Sequence, residues 1–441
     1  MPDTLFTSYA LRDLFCDEAF VARMLDFEAA LARAEGATGV IPTTAATAIA
    51  RCCAAAPMDV AALRHAARTA GNLAIPFVAA LTREVATADP AAKGYVHWGA
   101  TSQDVQDTAV VLQLREGLAL IAADVDRLAA ALRAQAELHR QTLMPGRTWL
   151  QQALPVTLGL KLAGILDAVL RHRDRLAALR HDVAVLQFGG AAGTLASLGA
   201  HGPAVASALA RELDLAPAAI PWHTQRDRFC EVATVLGMLV ATLGKLARDL
   251  ALLAQSEVGE AFEAAAAGRG GSSTLPHKRN PVSAAIALAA AVRVPNLVAT
   301  MLAAAVQEHE RGLGNWPAEW ETLPEIVLLA GGALEASIYA IEGLDVDAAR
   351  MRANLDLLHG LPMAEAVQMA LAPTLGRDVA HTLVGTASKA AVAQGRHLRD
   401  VLADDPGVRA VLDEAALDRL FDPAGYLGST RAYIDAVLLR A

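Results

Sequence analysis

Apolar residues recur along this chain in alternating steps of three and four over three long segments. The first stripe is Leu114, Leu118, Ile121, Val125, Leu128 and Leu132. The second is Leu162, Ile165, Val169, Leu176, Leu179, Val183 and Leu186, with His172 in its one missing position, and the third is Leu236, Leu239, Leu243, Leu246, Leu250 and Leu253. Such steps keep side chains on one side of an α-helix, so each stripe predicts a long helix with an apolar face. A thirty-residue helix is about 45 Å long, and several of them side by side make an elongated bundle. Two more helices are expected, from Val282 to about Glu308 with a bend at Pro295, and from Pro324 to about Leu344.

Flanking this bundle, the pattern breaks into shorter helical pieces. Turn residues such as Gly36, Gly39, Pro42, Pro57, Gly71 and Pro90 interrupt the first part, and GLPMAEAVQMALA opens a further small helical unit after Asn354. The expected fold is all-α with three helical domains: 1–110 N-terminal, 111–354 the central long-helix bundle, and 355–441 C-terminal. Stripes this long present more apolar face than one chain covers, which points to association between copies.

Composition sharpens this picture. Hydrophobic residues make up 54% of the 441 and aromatic ones only 4%, so Leu and Ala helices at close spacing must do the packing. The net charge of −9 and the lack of a Lys/Arg stripe argue against nucleic acid as a partner. Cys16, Cys52, Cys53 and Cys230 form no CxxC pair and are too few for a disulfide framework, which fits a reducing, cytoplasmic setting. The opening MPDTLFTSYALRDLF lacks the basic-then-apolar order of an export signal, and the apolar run from Val232 to Gly244 reads as a buried helix too short to span a bilayer. No membrane partner is expected.

The segment Gly268–Pro281, GRGGSSTLPHKRNP, is unlike its surroundings. Gly268, Gly270 and Gly271 free the backbone, Pro281 suits a first helical turn, and Asn280 is placed to cap it. With Lys278 and the free amides of a helix start, the segment could hold a carboxylate or an oxyanion; an ordinary interhelix loop with a good cap would have the same composition. Thr101 and Asp104 in HWGATSQDVQDT likewise form a plausible capping box, which could be that and nothing more.

GSSTLPHKRNP resembles the GSSxMPxKxNP loop of the fumarase/aspartase superfamily, with Leu275 in place of the usual Met. The resemblance implies that Ser272 is the catalytic base, acting as an alkoxide, with Ser273 beside it, and that Lys278 and Asn280 bind a substrate carboxylate. HWGATSQDVQDT is similar to the first signature region of that superfamily, which makes Thr101, Ser102 and Gln103 carboxylate-binding positions and matches His97 to an active-site histidine of the adenylosuccinate lyase branch. GRTWLQQALP resembles the second region, GxTHxQxAxP: Thr148 and Gln151 match, but Trp149 replaces the histidine. An indole cannot exchange protons as that histidine does, so the chain is unsuited to releasing an amine and suited to a carboxylate leaving group.

That requirement, with QEHERGLGNWPAEWETLPE and the tail GLPMAEAVQMALAPTLGR, makes the chain similar to the bacterial 3-carboxy-cis,cis-muconate cycloisomerase branch. Arg311 is retained, whereas Trp320 stands where adenylosuccinate lyases carry a phosphate-binding arginine. The resemblance implies an all-helical subunit, a homotetramer whose active sites combine signature regions of three subunits, a tricarboxylate substrate and no cofactor. Abstracting a proton beside a carboxylate builds a dianion, and a cation plus fixed dipoles stabilise it. An adenylosuccinate-type lyase and an inactive helical scaffold are the competing readings. No HExxH or Cys/His set suggests a metal, and neither GGAAGTLASLG nor Gly268–Ser273 satisfies a dinucleotide or P-loop pattern. Trp316 and Trp320 also fit core or interface anchors, and His139, His172 and His181 are expected to face solvent.

Overall fold

The computed structural model describes residues 5–55, 57–266 and 268–441; the first four residues of the opening stretch read above lie outside them. Helices account for 69% of the chain, and the expectation of an all-α fold holds. The elements that matter for the site are α1 (Asp17–Ala37), α2 (Ser102–Leu138), strands β1 (Leu143–Thr148) and β2 (Gln151–Thr157), α3 (Leu158–Val183), α4 (Asp227–Leu253), α5 (Val282–Ala304) and α6 (Asn315–Glu342).

The stripes are the core. All six apolar positions of the α2 stripe are fully buried, as are Leu236, Leu239 and Leu243 of α4. His172 is a correction: at 4% exposure it occupies its stripe position inside the core, where Nε2 lies 2.8 Å from the Thr242 hydroxyl, so the imidazole fills an apolar slot with that polar edge satisfied. His139 is half-buried and His181 is exposed. Pro295 lies within α5 without ending it. The last long helix starts nine residues before Pro324, because Trp316 and Glu319 on its first turns are buried and hold those turns in place.

Among the described residues, three helices, α4, α5 and α6, are long and apolar enough to cross a membrane by length and composition, α4 running well past the thirteen-residue stretch read from the sequence. Within α4 and α6 the apolar windows are 61% and 72% buried inside the protein, against 33% in α5. On and just after α5, Val292, Leu302 and Val306 are exposed.

The backbone forms two compact units, neither continuous in sequence. One gathers Met1–Val125, His172–Leu243 and Ile286–Glu335; the other gathers Asp126–Arg171, Gly244–Ala285 and Ala336–Ala441. In the second unit the tail has a core of its own, including Val367, Leu371, Val384, Leu398 and Leu402.

In the first unit α1 buries two carboxyl groups, Glu28 and Glu35, two turns apart. Neither oxygen of Glu35 has a hydrogen-bond partner among the described residues, and burial, reinforced by the Glu28 charge, pushes its pKa up to about 9. The folded chain therefore keeps a proton that the unfolded chain releases above about pH 4.5, and Glu35 subtracts stability increasingly as pH rises from there towards 9. Glu35→Gln, which cannot ionise, is expected to raise stability by on the order of 3 kcal/mol at pH 7 and to flatten that decline; thermal melts between pH 5 and 9 check it.

Candidate active site

In the first unit, the first signature region opens α2 and is pinned from below. Asp104 is fully buried and accepts hydrogen bonds from the backbone N–H of Thr101 (3.1 Å), Gly189 (3.0 Å) and Gly190 (2.8 Å). The Gln187 amide (3.3 Å) and His223 Nε2 (2.7 Å) also reach it. The Thr101 bond is one half of the capping box read from the sequence. The other donors make Asp104 a hub that ties the helix start to the glycine-rich turn 189–199 and to His223. At Gly190, φ is +67° and a Cβ would sit 2.9 Å from the Gly99 carbonyl, so only glycine allows this approach.

A second buried cluster lies one turn on. Arg226, with a fully buried side chain, donates to Asp107 (2.6 and 3.1 Å) and to Glu319 (2.6 to 3.1 Å). The Trp316 indole donates to Asp107 at 3.0 Å, so Trp316 is a core anchor with a polar duty, and it meets Trp320 edge to face at 5.0 Å. Burial alone would lower the Arg226 pKa, but the two carboxylates outweigh it and hold the guanidinium charged.

Gln103 is held among protein partners. It is fully buried; its amide nitrogen donates to Asp107 (3.0 Å) and the His223 carbonyl (2.7 Å), and its oxygen accepts from Arg311 Nε at 3.0 Å. With these three protein partners the side chain braces Arg311. Arg311 also donates to the Ala191 carbonyl at 3.2 Å. Thr101, Ser102, Gln103 and Arg311 are thus assembled around one hub, with His97 on the segment leading into it. His97 has φ +58° and its Nδ1 lies 2.5 Å from Glu28 Oε1.

In the second unit, the GRTWLQQALP segment is a β-hairpin, an element the helical stripes do not predict. Thr148 pairs with Gln151 and Pro145 with Pro155, with an irregularity between Pro145 and Arg147. Trp149 and Leu150 form the two-residue turn, both with φ above +50° and 99% and 76% exposed. Non-glycine residues pay for that conformation in strain, which persists only where surrounding structure demands it. The base of the hairpin is fixed by Arg147, which pairs with the buried Glu260 (2.6 and 2.9 Å), and by Gln152 donating to the Asn354 carbonyl at 2.8 Å. Thr148 and Gln151, the closing pair beneath the tip, are exposed.

The loop 268–281 also lies in this unit. Its neck is closed by the Asn280 backbone N–H donating to the Gly270 carbonyl at 2.7 Å and the Asn280 side chain donating to the Gly271 carbonyl at 3.3 Å. A Cβ on Gly270, whose φ is +69°, would meet the Asn280 carbonyl at 2.7 Å. The cap of α5 is a correction. Glu263, not Asn280, accepts the Ser283 and Ala284 amides at 2.9 and 2.8 Å, and this internal carboxylate occupies the helix-start amides that the sequence reading offered to an anion.

What remains at the loop is a serine with an unusual setting. The Ser272 hydroxyl oxygen accepts the backbone N–H of Thr274 (3.2 Å) and of Leu275 (3.0 Å). Two fixed dipoles aimed at this oxygen favour its negative form. Ser273 and Lys278 are exposed, and Lys278 has no ion pair among the described residues. Lys278, Arg279, Asn280 and Arg269 help line a cavity of about 160 Å³ with Glu263. No group of three or more potential metal ligands stands together among the described residues.

Comparison with known proteins gives this geometry its context. Residues 5–296 match the family model described as lyase, and residues 360–437 match adenylosuccinate lyase C-terminus. The 3-carboxy-cis,cis-muconate cycloisomerase of Pseudomonas aeruginosa is 57% identical over 99% of this chain and 95% of its own length; that of Acinetobacter baylyi is 49% identical over 99% and 98%. The crystal structure of the 3-carboxy-cis,cis-muconate lactonizing enzyme from Pseudomonas putida superposes with a TM-score of 0.94 at 53% identity, covering 99% of this chain and 98% of that one. This chain belongs to the fumarase/aspartase lyase superfamily. Within that superfamily its match to the cycloisomerase branch spans the whole chain, head to tail.

Several residues that hold these signature segments in place within each unit were not singled out from the sequence: Glu28, Asp107, Gln187, His223, Arg226 and Glu319 in the first, and Glu263 in the second. They share no local signal: Glu28, Asp107 and Glu319 lie on helices, whereas Gln187, His223, Arg226 and Glu263 lie on the segments between them. A buried charge needs a partner, but the partner's position is not local.

Proposed function

We propose that this chain interconverts 3-carboxy-cis,cis-muconate and 4-carboxymuconolactone, a step of protocatechuate breakdown in the β-ketoadipate pathway, without metal or cofactor. In the closing direction a substrate carboxylate oxygen adds to the conjugated double bond. The electron pair moves onto a neighbouring carboxylate as an aci-carboxylate, and carbon then takes a proton from Ser272. In the opening direction the Ser272 oxygen removes that proton and the ring carboxylate leaves as a stable anion. The observation that carries this reading is the pair of backbone amides on the Ser272 oxygen, which stabilise the charge that develops there as the proton moves.

Lys278, Asn280, Ser273, Thr148, Gln151, Thr101, Ser102, His97 and Arg311 hold the three carboxylates, with Gln103 orienting Arg311. A net acidic protein binding a trianion must gather positive potential locally, and these positions supply it. Trp149 in the histidine's place suits a leaving group that needs no proton. Each site combines signature regions of different copies in a homotetramer. That assembly is supported by the largely uncovered apolar face of α5 and by the strained, exposed tip at Trp149 and Leu150. The subunit divides into the head 1–110, bundle 111–354 and tail 355–441, the last supported by its own core. A soluble, cytoplasmic location fits the four cysteines, all free thiols.

Purified protein mixed with 3-carboxy-cis,cis-muconate should abolish the conjugated-diene absorbance, and mixed with adenylosuccinate should release no fumarate. Persistence of the diene with correctly assembled protein would overturn the assignment.

A further inference from the structure

His97 combines features that its neighbours do not explain. A histidine at φ +58° is held in a sparsely populated backbone region, and its ring is anchored by one contact, Nδ1 to Glu28 Oε1 at 2.5 Å. Glu28 comes from α1, far away in sequence; its side chain is 1% exposed, and its second oxygen is buried with no hydrogen-bond partner among the described residues. The His97 side chain is 14% exposed, and Nε2 makes no hydrogen bond among the described residues. One ring edge is thus locked into a buried carboxylate while the other is unengaged, four residues before Thr101.

We infer that Glu28 is a positioning residue of this site: it fixes the orientation and charge of the His97 ring so that Nε2–H meets a substrate carboxylate beside Thr101 and Ser102. This rests on the cycloisomerase reading for the identity of the ligand, though not for the state of the ring. A carboxylate on Nδ1 fixes the tautomer. If the imidazole is neutral, its one proton sits on Nδ1 facing Glu28, and Nε2 offers a lone pair that repels an anion. Only the imidazolium donates from both nitrogens. The charged groups that act on the ring are Glu28 and Asp104. Burial alone would lower the His97 pKa, but the Glu28 charge and hydrogen bond, with Asp104, outweigh it and leave the pKa raised. Glu35, further along α1, is protonated below about pH 9 and adds no charge near neutrality.

The test compares wild type, Glu28→Gln, His97→Gln and the double variant as full-length assembled protein. In wild type, kcat/KM for 3-carboxy-cis,cis-muconate should fall as pH rises through the His97 pKa. In Glu28→Gln that fall should begin at least about one pH unit lower, the scale of losing an adjacent opposite charge. At pH 7.5 its KM should be about tenfold higher with kcat changed less than about threefold, since a lost ground-state contact appears in KM. On a His97→Gln background, Glu28→Gln should change nothing further. An unshifted pH profile, or losses that add in the double variant, would overturn the inference. If Glu28→Gln fails to assemble, Glu28→Asp, which keeps the carboxylate, must retain a wild-type pH profile, and a collapsed profile there counts against it. A substrate-free titration of the His97 ring by histidine-selective 15N NMR separates the two claims. A midpoint lowered by Glu28→Gln upholds the inference even if the chain proves inert towards carboxymuconate, whereas an unmoved midpoint sinks it while leaving the cycloisomerase reading intact.

Discussion

Ser272→Ala is expected to cut turnover of 3-carboxy-cis,cis-muconate by at least ~10²-fold while leaving the oligomer and the helical circular dichroism spectrum unchanged, the scale of losing a general base. The stability side follows from the loop: Ser272 is not part of the apolar core, and its hydroxyl contacts are two amides of its own turn, which water can satisfy in the alanine variant. KM should move little, because the groups assigned to the carboxylates stay in place. Near-wild-type kcat in the alanine variant would remove this hydroxyl from proton transfer and shift attention to His97 or His223.

Arg226→Met should have the largest effect on stability. The guanidinium lies with Asp107 and Glu319 in a fully desolvated cluster, and its removal strands two buried carboxylates. Breaking such a cluster from one side costs about 3–5 kcal/mol, enough to lower the melting temperature by on the order of 10 °C. Adding Glu319→Leu should recover part of that loss, because one of the stranded charges goes with it; differential scanning calorimetry of the single and double variants checks both statements. Asp107 also holds the Gln103 amide, and Gln103 holds Arg311, so the single variant should in addition raise KM.

How much of this molecule could be read from its residues depends on the range of the interaction. The helices were legible because the α2 and α4 stripes are local repeats whose burial is complete in the fold. The signature loops were legible because glycines and caps act over a few residues. The hairpin was not: its turn uses Trp149 and Leu150 where Asn-Gly would announce it, and its strands carry Pro145 and Pro155 opposite each other. The cap of α5 was misjudged because Glu263 reaches Ser283 across twenty residues, a pairing with no local mark. Gln103 and His172 show the same limit from the other side. Residue type and position suggested a solvent-facing ring for His172, and both side chains are committed to partners that only the tertiary fold brings near.

The most direct test of the role given to Ser272 follows the proton itself. 4-Carboxymuconolactone incubated in D₂O with wild-type protein should acquire deuterium at the methylene carbon of its acetate arm, read by NMR, and the Ser272→Ala variant should leave that position protonated over the same time. Exchange by the variant at the wild-type rate would contradict the account.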